Sequence, residues 1–474
     1  MSVPTNSLST PPGIAFVPVP YVIADEPHAY WTLARVAQAL GTGPRSTHAL
    51  SGISTDSRHL NKGDVFVALV GDNFDGHDFL ATARDNGAAA LVVSNAVAAV
   101  GLGLPVYVVA DTLHALGRLA TAWRMAWGGP IVAVAGSNGK TSTKDMLRAA
   151  LGSTLSVHAT TGNFNNLVGV PLTLLSIPQH AQIAVVEAGT NVPGEIAQLR
   201  DIIRAEMVVL TSIGEEHLEG LSDLAGVLRE ESEIFFGAEL SVVPAMYADA
   251  VASSRERARQ TVTVGLDAGD IVPAAWGLQP DGAGWFTVDG VTVQLSLRGA
   301  HQVANAMLVV AIARACGVPL ERAASSLRNM PVPHMRGAWE KVGHVTLLND
   351  AYNANPASMR AALSLLDSVG AGKQRVAVLG SMRELGSGAH AQHVAIARAA
   401  LDSKADVIAA VGDFAAAFAE IAPDDARVIQ SAEFDALWPQ LAPRLHRDAV
   451  VLLKASRGAQ MERLIPFLSA WASA

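Results

Sequence analysis

The chain has 474 residues, too many for one ordinary hydrophobic core, so two or three domains are expected. Half of its residues are hydrophobic and 16% are charged, a balance that suits a well-buried enzyme. A formal charge of −9 with no Lys/Arg-rich run argues against nucleic-acid binding. The single cysteine, Cys316, leaves no disulfide framework or cysteine-based zinc site, and a reducing cytoplasm is the simple reading.

Residues 1–27 are rich in Pro, Ser and Thr and lack a basic start, so they read as a loosely ordered extension and not as a signal peptide. Residues 28–110 alternate short strands (VFVAL, ALVVS, VYVVA) with helical stretches such as HDFLATARDNGA. The uncharged run 88–110 is long enough to span a bilayer, but Ser94-Asn95 and the glycine-proline stretch Gly101–Pro105 cut it into two β-branched runs. Buried strands are the expectation there, with no integral membrane segment.

From 111 to 333 the pattern is apolar strand, polar or Gly-rich loop, then helix, with strands in IVAVAG, QIAVVEAG and EMVVLTSI. Such runs predict a parallel sheet covered by helices on both faces. GWFTVDGVTVQLSL predicts a hairpin turning at Asp289-Gly290. PVPHMRG, at 331–337, reads as a linker. Residues 334–474 alternate strand and helix again (VTLLND, RVAVLG, DVIAAVG, RVIQ, AVVLLKAS), without a dinucleotide-type glycine pattern after the first strand. The predicted fold is thus α/β with three domains. A small N-terminal α/β domain precedes a central phosphate-loop domain, and a Rossmann-like α/β domain closes the chain.

The strongest chemical signal is IVAVAGSNGKTSTKDMLRAAL, a buried strand, a small-residue loop and a helix. Backbone N–H groups of Gly136, Ser137, Asn138, Gly139, Lys140, Thr141 and Ser142 can wrap phosphate oxygens. Lys140 adds charge, Thr141 can ligate a metal, and the helix start favours an anion. The usual pattern opens with a glycine six residues before the lysine, where this chain has Val134. An accidental Gly-Lys-Thr turn is the competing reading.

Two more strands deliver Glu187 and His217 to what should be the same sheet edge, where a carboxylate and an imidazole can hold Mg²⁺ or Mn²⁺. Taken singly, an acid after a strand is more often a helix cap and a lone histidine more often structural; the phosphate loop beside them favours the metal reading. TTGNFNNLVGVPLTLL places Thr160, Thr161, Asn163, Asn165 and Asn166 in one polar loop, either turn-forming or substrate-orienting.

With these motifs in view, the chain from about residue 50 onward resembles the Mur ligase family. GSNGKTSTK looks like that family's phosphate loop, missing first glycine included. STDSRHLNKGDVFVALVGDNFDGHDF (54–79) is similar to the uridine-nucleotide segment of its later members. NFNNLVGVPLTLL with VVEAGTNVPGEIAQL, and then NDAYNANPASM, LGSMRELG and VLLKASRG, resemble the member that adds D-alanyl-D-alanine. The third-residue-adding member typically has an acidic-Ser-Ser-His stretch and an Asp-Asn-Pro-Arg motif, and neither is present.

The resemblance implies an ATP-dependent ligase, with UDP-N-acetylmuramoyl-tripeptide and D-alanyl-D-alanine as substrates and Mg²⁺ as cofactor. A cytoplasmic monomer is the accompanying expectation. Ser57, Arg58, Asn73 and Phe74 would contact the UDP-linked substrate, joined by the Thr160–Asn166 loop and by Tyr352 and Asn353. His301 and Asn305 would lie near adenine, while Arg336 and Asp350 would approach the nucleotide as the last domain closes. Departures occur at Gly299-Ala300-His301-Gln302 and at Gly380-Ser381-Met382. The largest is Glu231, which stands where the family commonly carries a carbamylated lysine and is expected to contact the metal in its place, directly or through water, with a solvated surface acid as the competing reading.

The chemistry explains the parts. Joining a carboxylate to an amine requires a better leaving group than oxide, which an acyl phosphate supplies. Forming it brings two anions together, so cations must stand between them. The acyl phosphate must then be kept from water, so closure of the C-terminal domain is expected.

Overall fold

Apolar runs ended by turn residues become strands here because each can be covered on both faces. The computed structural model describes residues 30–333 and 335–473; the extension read over 1–27 lies outside them. The first sheet is parallel, in the order Ile53–Ser54, Val65–Val67, Ala90–Val93, Val106–Val108. The uncharged run 88–110 thus holds two strands of this sheet with a 3₁₀ turn, Ala96–Ala99, between them. Among the described residues no helix is long and apolar enough to cross a membrane.

The central sheet has six parallel strands. Their order is Thr261–Val264, Leu240–Pro244, Met207–Leu210, Ile131–Ala135, Ile183–Glu187, Val157–Ala159. Side chains alternate between its faces, as a strand's period of two demands. Val132, Val134, Val185 and Val209 join one core with Met146 and Leu147 of helix Lys140–Leu151 and Val303 and Met307 of helix Ala300–Ala315. Ala133, Ala135, Val186 and Leu210 join the other, with Leu116, Leu119 and Trp123 of helix Thr112–Trp127. Each fully enclosed Val or Leu is worth about 1.5–3 kcal/mol relative to exposure. The same helix also packs against Leu33–Leu40, and its core continues into Val65, Val67, Ala90 and Val92. The first two sheets therefore share one hydrophobic core.

The predicted hairpin is present, with Val288 opposite Val291 and positive φ at both Asp289 (51°) and Gly290 (77°). Both central residues of a two-residue type I′ turn need that conformation. A third strand, Ala275–Leu278, extends it to a three-stranded antiparallel sheet. The last sheet runs Ala338–Val342, Val345–Asp350, Val450–Lys454, Arg375–Leu379, Val407–Val411, Val428–Ser431, parallel except at its first pair. Helices cover both of its faces, as two separate cores record.

The central strand Ile131–Ala135 lies where the strand order reverses. The chain goes outward to one side for Val157–Ala159 and Ile183–Glu187, and to the other for the remaining three strands. The crevice at the carboxyl ends of strands at such a reversal is where α/β sheets bind ligands.

Candidate active site

The phosphate loop leaves Ile131–Ala135 and enters helix Lys140–Leu151. Two of its glycines are required. Gly136 has φ 115° and a Cβ there would sit 2.6 Å from Thr211 Oγ1, while Gly139 has φ 85° and its Cβ would meet Asn305 Nδ2 at 2.7 Å. Val134, in place of the usual first glycine, is fully buried within the strand, so the loop proper starts at Gly136. The segment after Met207–Leu210 holds the loop from outside. Ser137 N–H donates to Ser212 O (2.9 Å), Ser137 Oγ–H to Gly214 O (3.1 Å), and Asn138 N–H to Ser212 Oγ (2.8 Å).

Ser137 through Ser142 line a cavity of about 530 Å³ together with Asn163, Asn166, Glu187, His217, His301, Arg336, Asp350, Tyr352 and Asn353. Thus most residues singled out in the sequence, from all parts of the chain after Gly136, meet in one place. A larger cavity of about 1050 Å³, beside helices Leu33–Leu40 and Thr112–Trp127, includes none of the phosphate-loop residues.

Glu187 ends its strand 1% exposed. Its Oε1 accepts from Thr141 Oγ1 (3.2 Å) and Asn165 Nδ2 (3.0 Å), and its N–H donates to Thr160 Oγ1 (3.0 Å). Its Oε2 is buried with no protein partner. An unpaired buried carboxylate oxygen is costly, which fits a group shaped to receive a cation or donor. Thr160 therefore positions Glu187 and does not line the cavity, and Thr161 is exposed and outside its wall.

Lys140 stands among acids. Its Nζ donates to Gly136 O and lies 3.6 Å from Glu216 Oε1. Burial opposes its charge, but Glu216, Glu231 and Glu187 together hold its pKa above the usual value. Burial, partly offset by Lys140 and reinforced by Glu231, pushes Glu216 up to about 8. Glu216 lines the cavity, and the sequence reading passed it over. Its only signal was its place one residue before His217. Burial holds His217 below the usual imidazole range despite the pull of Glu384, so the ring is neutral near pH 7, the form that can ligate a cation.

Glu231 is not where the sequence placed it. It is neither on the surface nor in the cavity wall but fully buried behind the phosphate loop. Its Oε2 accepts the Gly136 N–H at 2.8 Å, and its Oε1 is enclosed without a partner. Helix Leu224–Glu231 ends beneath the loop, so a side chain as short as glutamate reaches only its underside. Asn305, expected near adenine, likewise stands behind Gly139 and donates to Gln302 Oε1.

The C-terminal part supplies the remaining wall. The Arg336 guanidinium lies 4.0 Å from the centre of the Tyr352 ring, and Lys454 Nζ pairs with Asp350 Oδ2 (2.7 Å) while donating to Asn353 O (2.7 Å). Asn355 caps helix Pro356–Ser368 by accepting from Ser358 N–H, and its Nδ2–H donates to Asn138 Oδ1 of the phosphate loop at 2.9 Å. AYNANP thus starts a helix and touches the loop at once.

Ser57, Arg58, Asn73 and Phe74 are absent from this cavity's wall. Ser57 is buried, with its carbonyl taken by Asn86 Nδ2 (2.8 Å). Arg58 is exposed and paired with Asp56. Asn73 is exposed, and half-exposed Phe74 stacks on Phe79 with ring centres 5.3 Å apart.

Among the described residues no group of three or more His, Cys, Asp or Glu is arranged to hold a metal by itself. The Glu187 oxygen without a partner and the Thr141 hydroxyl beside it fit a hard cation that takes few protein ligands and completes its shell with phosphate and water, as Mg²⁺ does.

Comparison with known proteins gives this geometry a family. "Mur ligase family, catalytic domain" matches residues 49–124, "Mur ligase middle domain" 134–313, and "Mur ligase, glutamate ligase domain" 336–457. The UDP-N-acetylmuramoyl-tripeptide–D-alanyl-D-alanine ligase of Bacillus subtilis (strain 168) is 34% identical over 422 residues, spanning 88% of this chain and 92% of that protein. The crystal structure of MurF from Acinetobacter baumannii superposes with TM-score 0.86 at 31% identity, over 93% of this chain and 99% of that one. MurF ligase from Thermotoga maritima, in complex with ADP, gives TM-score 0.78 at 26% identity over 89% of this chain and 98% of that one. The chain belongs to the Mur ligase family. Within that family the Bacillus relative is named for adding D-alanyl-D-alanine, and both solved structures are named MurF.

Proposed function

We propose that this protein joins D-alanyl-D-alanine to the terminal carboxylate of UDP-N-acetylmuramoyl-tripeptide, at the expense of ATP, in peptidoglycan precursor synthesis. The observation that carries the reading is the single cavity in which the phosphate loop, Glu187 and His217 face Arg336, Asp350 and Lys454 of the C-terminal sheet. Identity of about one third to ligases named for this reaction gives the substrates.

Backbone N–H groups of Gly139, Lys140, Thr141 and Ser142 bind the ATP phosphates, with Lys140 at the β/γ end, whereas those of Gly136, Ser137 and Asn138 are already taken by Glu231 and Ser212. The substrate carboxylate attacks the γ-phosphorus, ADP leaves, and the amine of the dipeptide attacks the acyl carbon of the resulting acyl phosphate. Phosphate then departs from the tetrahedral intermediate. Lys140 stabilises charge on the transferring phosphoryl group, and Arg336 meets it from the other wall. Thr141, Glu187 and His217 would hold Mg²⁺, or Mn²⁺ in its stead, which supplies charge neutralisation between the two reacting anions. Tyr352, Asn353 and the Asn163–Asn166 loop orient the peptide substrates, and closure of the C-terminal domain, which Asn355 ties to Asn138 of the phosphate loop, keeps water from the acyl phosphate. Ser57, Arg58, Asn73 and Phe74 hold the UDP moiety at the outer end of an extended substrate, and His301 the adenine. Domains at about 28–110, 111–333 and 334–474 divide these tasks. ATP and a UDP-linked substrate place the enzyme in the cytoplasm.

A coupled ADP-release assay with ATP and a panel of UDP-muramoyl peptides and dipeptides tests this. Turnover is expected only when UDP-muramoyl-tripeptide and D-alanyl-D-alanine are both present. Rapid hydrolysis of ATP alone, as by a phosphate-loop switch or motor, overturns it.

A further inference from the structure

His217 and Glu384 meet across the boundary between the central and C-terminal sheets. His217 Nδ1 lies 2.5 Å from Glu384 Oε2, although the Glu384 side chain is otherwise 57% exposed. Both residues have left-handed backbones, φ 49° and 63°. Non-glycine residues adopt that conformation at a cost, so it persists only where surroundings impose it. Here the two strained turns interlock. Glu219 N–H donates to Glu384 O (3.4 Å), Gly386 packs on the backbone of Leu218 and Glu219, and Gln392 Nε2 donates to Glu215 Oε1 (3.2 Å).

The two nitrogens of the ring therefore have different tasks. Nδ1 is taken by a carboxylate of the C-terminal sheet, while Nε2 lies on the side of Glu216, 3.9 Å from its Oε2. A histidine that ligates a cation through one nitrogen is aimed, and made more basic, by an acceptor on the other. That acceptor usually belongs to the same scaffold as the ligand. Here it comes from the part of the chain that must close over the substrates.

We propose that Glu384 is a positioning residue for His217. Its carboxylate accepts the Nδ1–H, fixes the tautomer that leaves the Nε2 lone pair free for the divalent ion, and so couples ion affinity to docking of the C-terminal domain. This rests on the reading of His217 as a metal ligand, and the test separates the two.

Mn²⁺ binding to the full-length protein with ADP is followed by the electron paramagnetic resonance of the free ion, and the His217 tautomer by ¹⁵N resonances of histidine-labelled protein. Glu384→Ala is expected to weaken Mn²⁺ binding 10- to 100-fold and to shift His217 from the Nδ1–H form toward a tautomer mixture. Glu384→Gln, which keeps an acceptor oxygen, should restore most of both. If His217→Ala leaves Mn²⁺ affinity unchanged, the metal-ligand reading falls and this proposal with it. If His217→Ala weakens binding but Glu384→Ala alters neither affinity nor tautomer, the ligand reading stands and this proposal is overturned.

Discussion

The phosphate loop and the polar turns of the 54–79 segment both lie beside parallel sheets, yet their side chains are held in different ways. Gly136 is bonded to Glu231, Ser137 to Gly214, and Asn138 to Ser212 and Asn355, so three separate stretches of chain fix one short turn. In the 54–79 segment the exposed charged side chains pair mainly with near neighbours in sequence. Asp56 takes Arg58 and His59, and Asp75 takes His77. Groups that stabilise a developing charge must be in place before the charge appears. Groups that only hold one end of a long substrate can settle around it. On the proposed function, the difference in anchoring follows the difference in task.

The largest effect should come from Lys140→Ala. It removes a charge from the fixed loop at a cost on the order of 3 kcal/mol or more, at least roughly a hundredfold in kcat, measured below the variant's unfolding temperature, which should itself fall as Glu216 and Glu231 lose their buried cation. Near-normal turnover would remove the loop from the reaction. Next, Glu231→Ala leaves the buried Gly136 N–H without an acceptor and should cost about 1–3 kcal/mol of stability in urea unfolding, with a raised KM for ATP. Glu231→Gln keeps an acceptor oxygen and should lose clearly less. Equal losses would mean that charge and not anchoring matters there. Activity of the wild type should not respond to added bicarbonate, because glutamate carries its carboxylate permanently.

On the other side of the comparison, Ser57→Ala with Arg58→Ala should raise KM for the UDP-peptide about tenfold, the scale of one charged hydrogen bond, and leave those for ATP and D-alanyl-D-alanine in place. Equal weakening of all three would mean that this segment is as structural as the phosphate loop. Cys316 serves as the control with no expected effect. Buried after helix Ala300–Ala315, its thiol is pushed by burial up to about 12. Because the folded value is raised, the fold is favoured below the unfolded thiol's pKa of about 8.5, and that contribution fades as pH climbs toward 12. An aromatic disulfide reagent at pH 8 should therefore find no thiol until any of these variants unfolds.

What could be read from the sequence follows the same division between local and distant causes. Ile131–Ala135, Ile183–Glu187 and Met207–Leu210 are legible because a strand buried on both faces must be apolar throughout. Ile53–Ser54, Val157–Ala159, Thr261–Val264, Ala275–Leu278 and Ala338–Val342 went unread, as all five lie at sheet edges and mix polar with apolar residues. Leu240–Pro244, one strand further in, was missed as well; LSVVP is only five residues long and ends in proline. In the site, Lys140 and Glu187 announce themselves by following strands. Glu231 could be located in the sequence but not oriented, since whether it meets the top or the underside of the loop depends on how helix Leu224–Glu231 packs. Glu384 lies within the LGSMRELG stretch that carried the resemblance, but its own role could not be read there, because that role comes from a partner in another domain.

Asn355 shows how narrow the choice of one residue can be. Aspartate begins a helix as well as asparagine does, and capping of Pro356–Ser368 uses only the side-chain oxygen. The amide's other half is what distinguishes them. Its N–H reaches Asn138, a residue of the phosphate-binding turn. An acid at 355 would keep the helix but exchange that donor for a negative charge beside the phosphates, a repulsion felt only when nucleotide arrives. The residue that folds the domain is thereby also constrained by a ligand it need not touch.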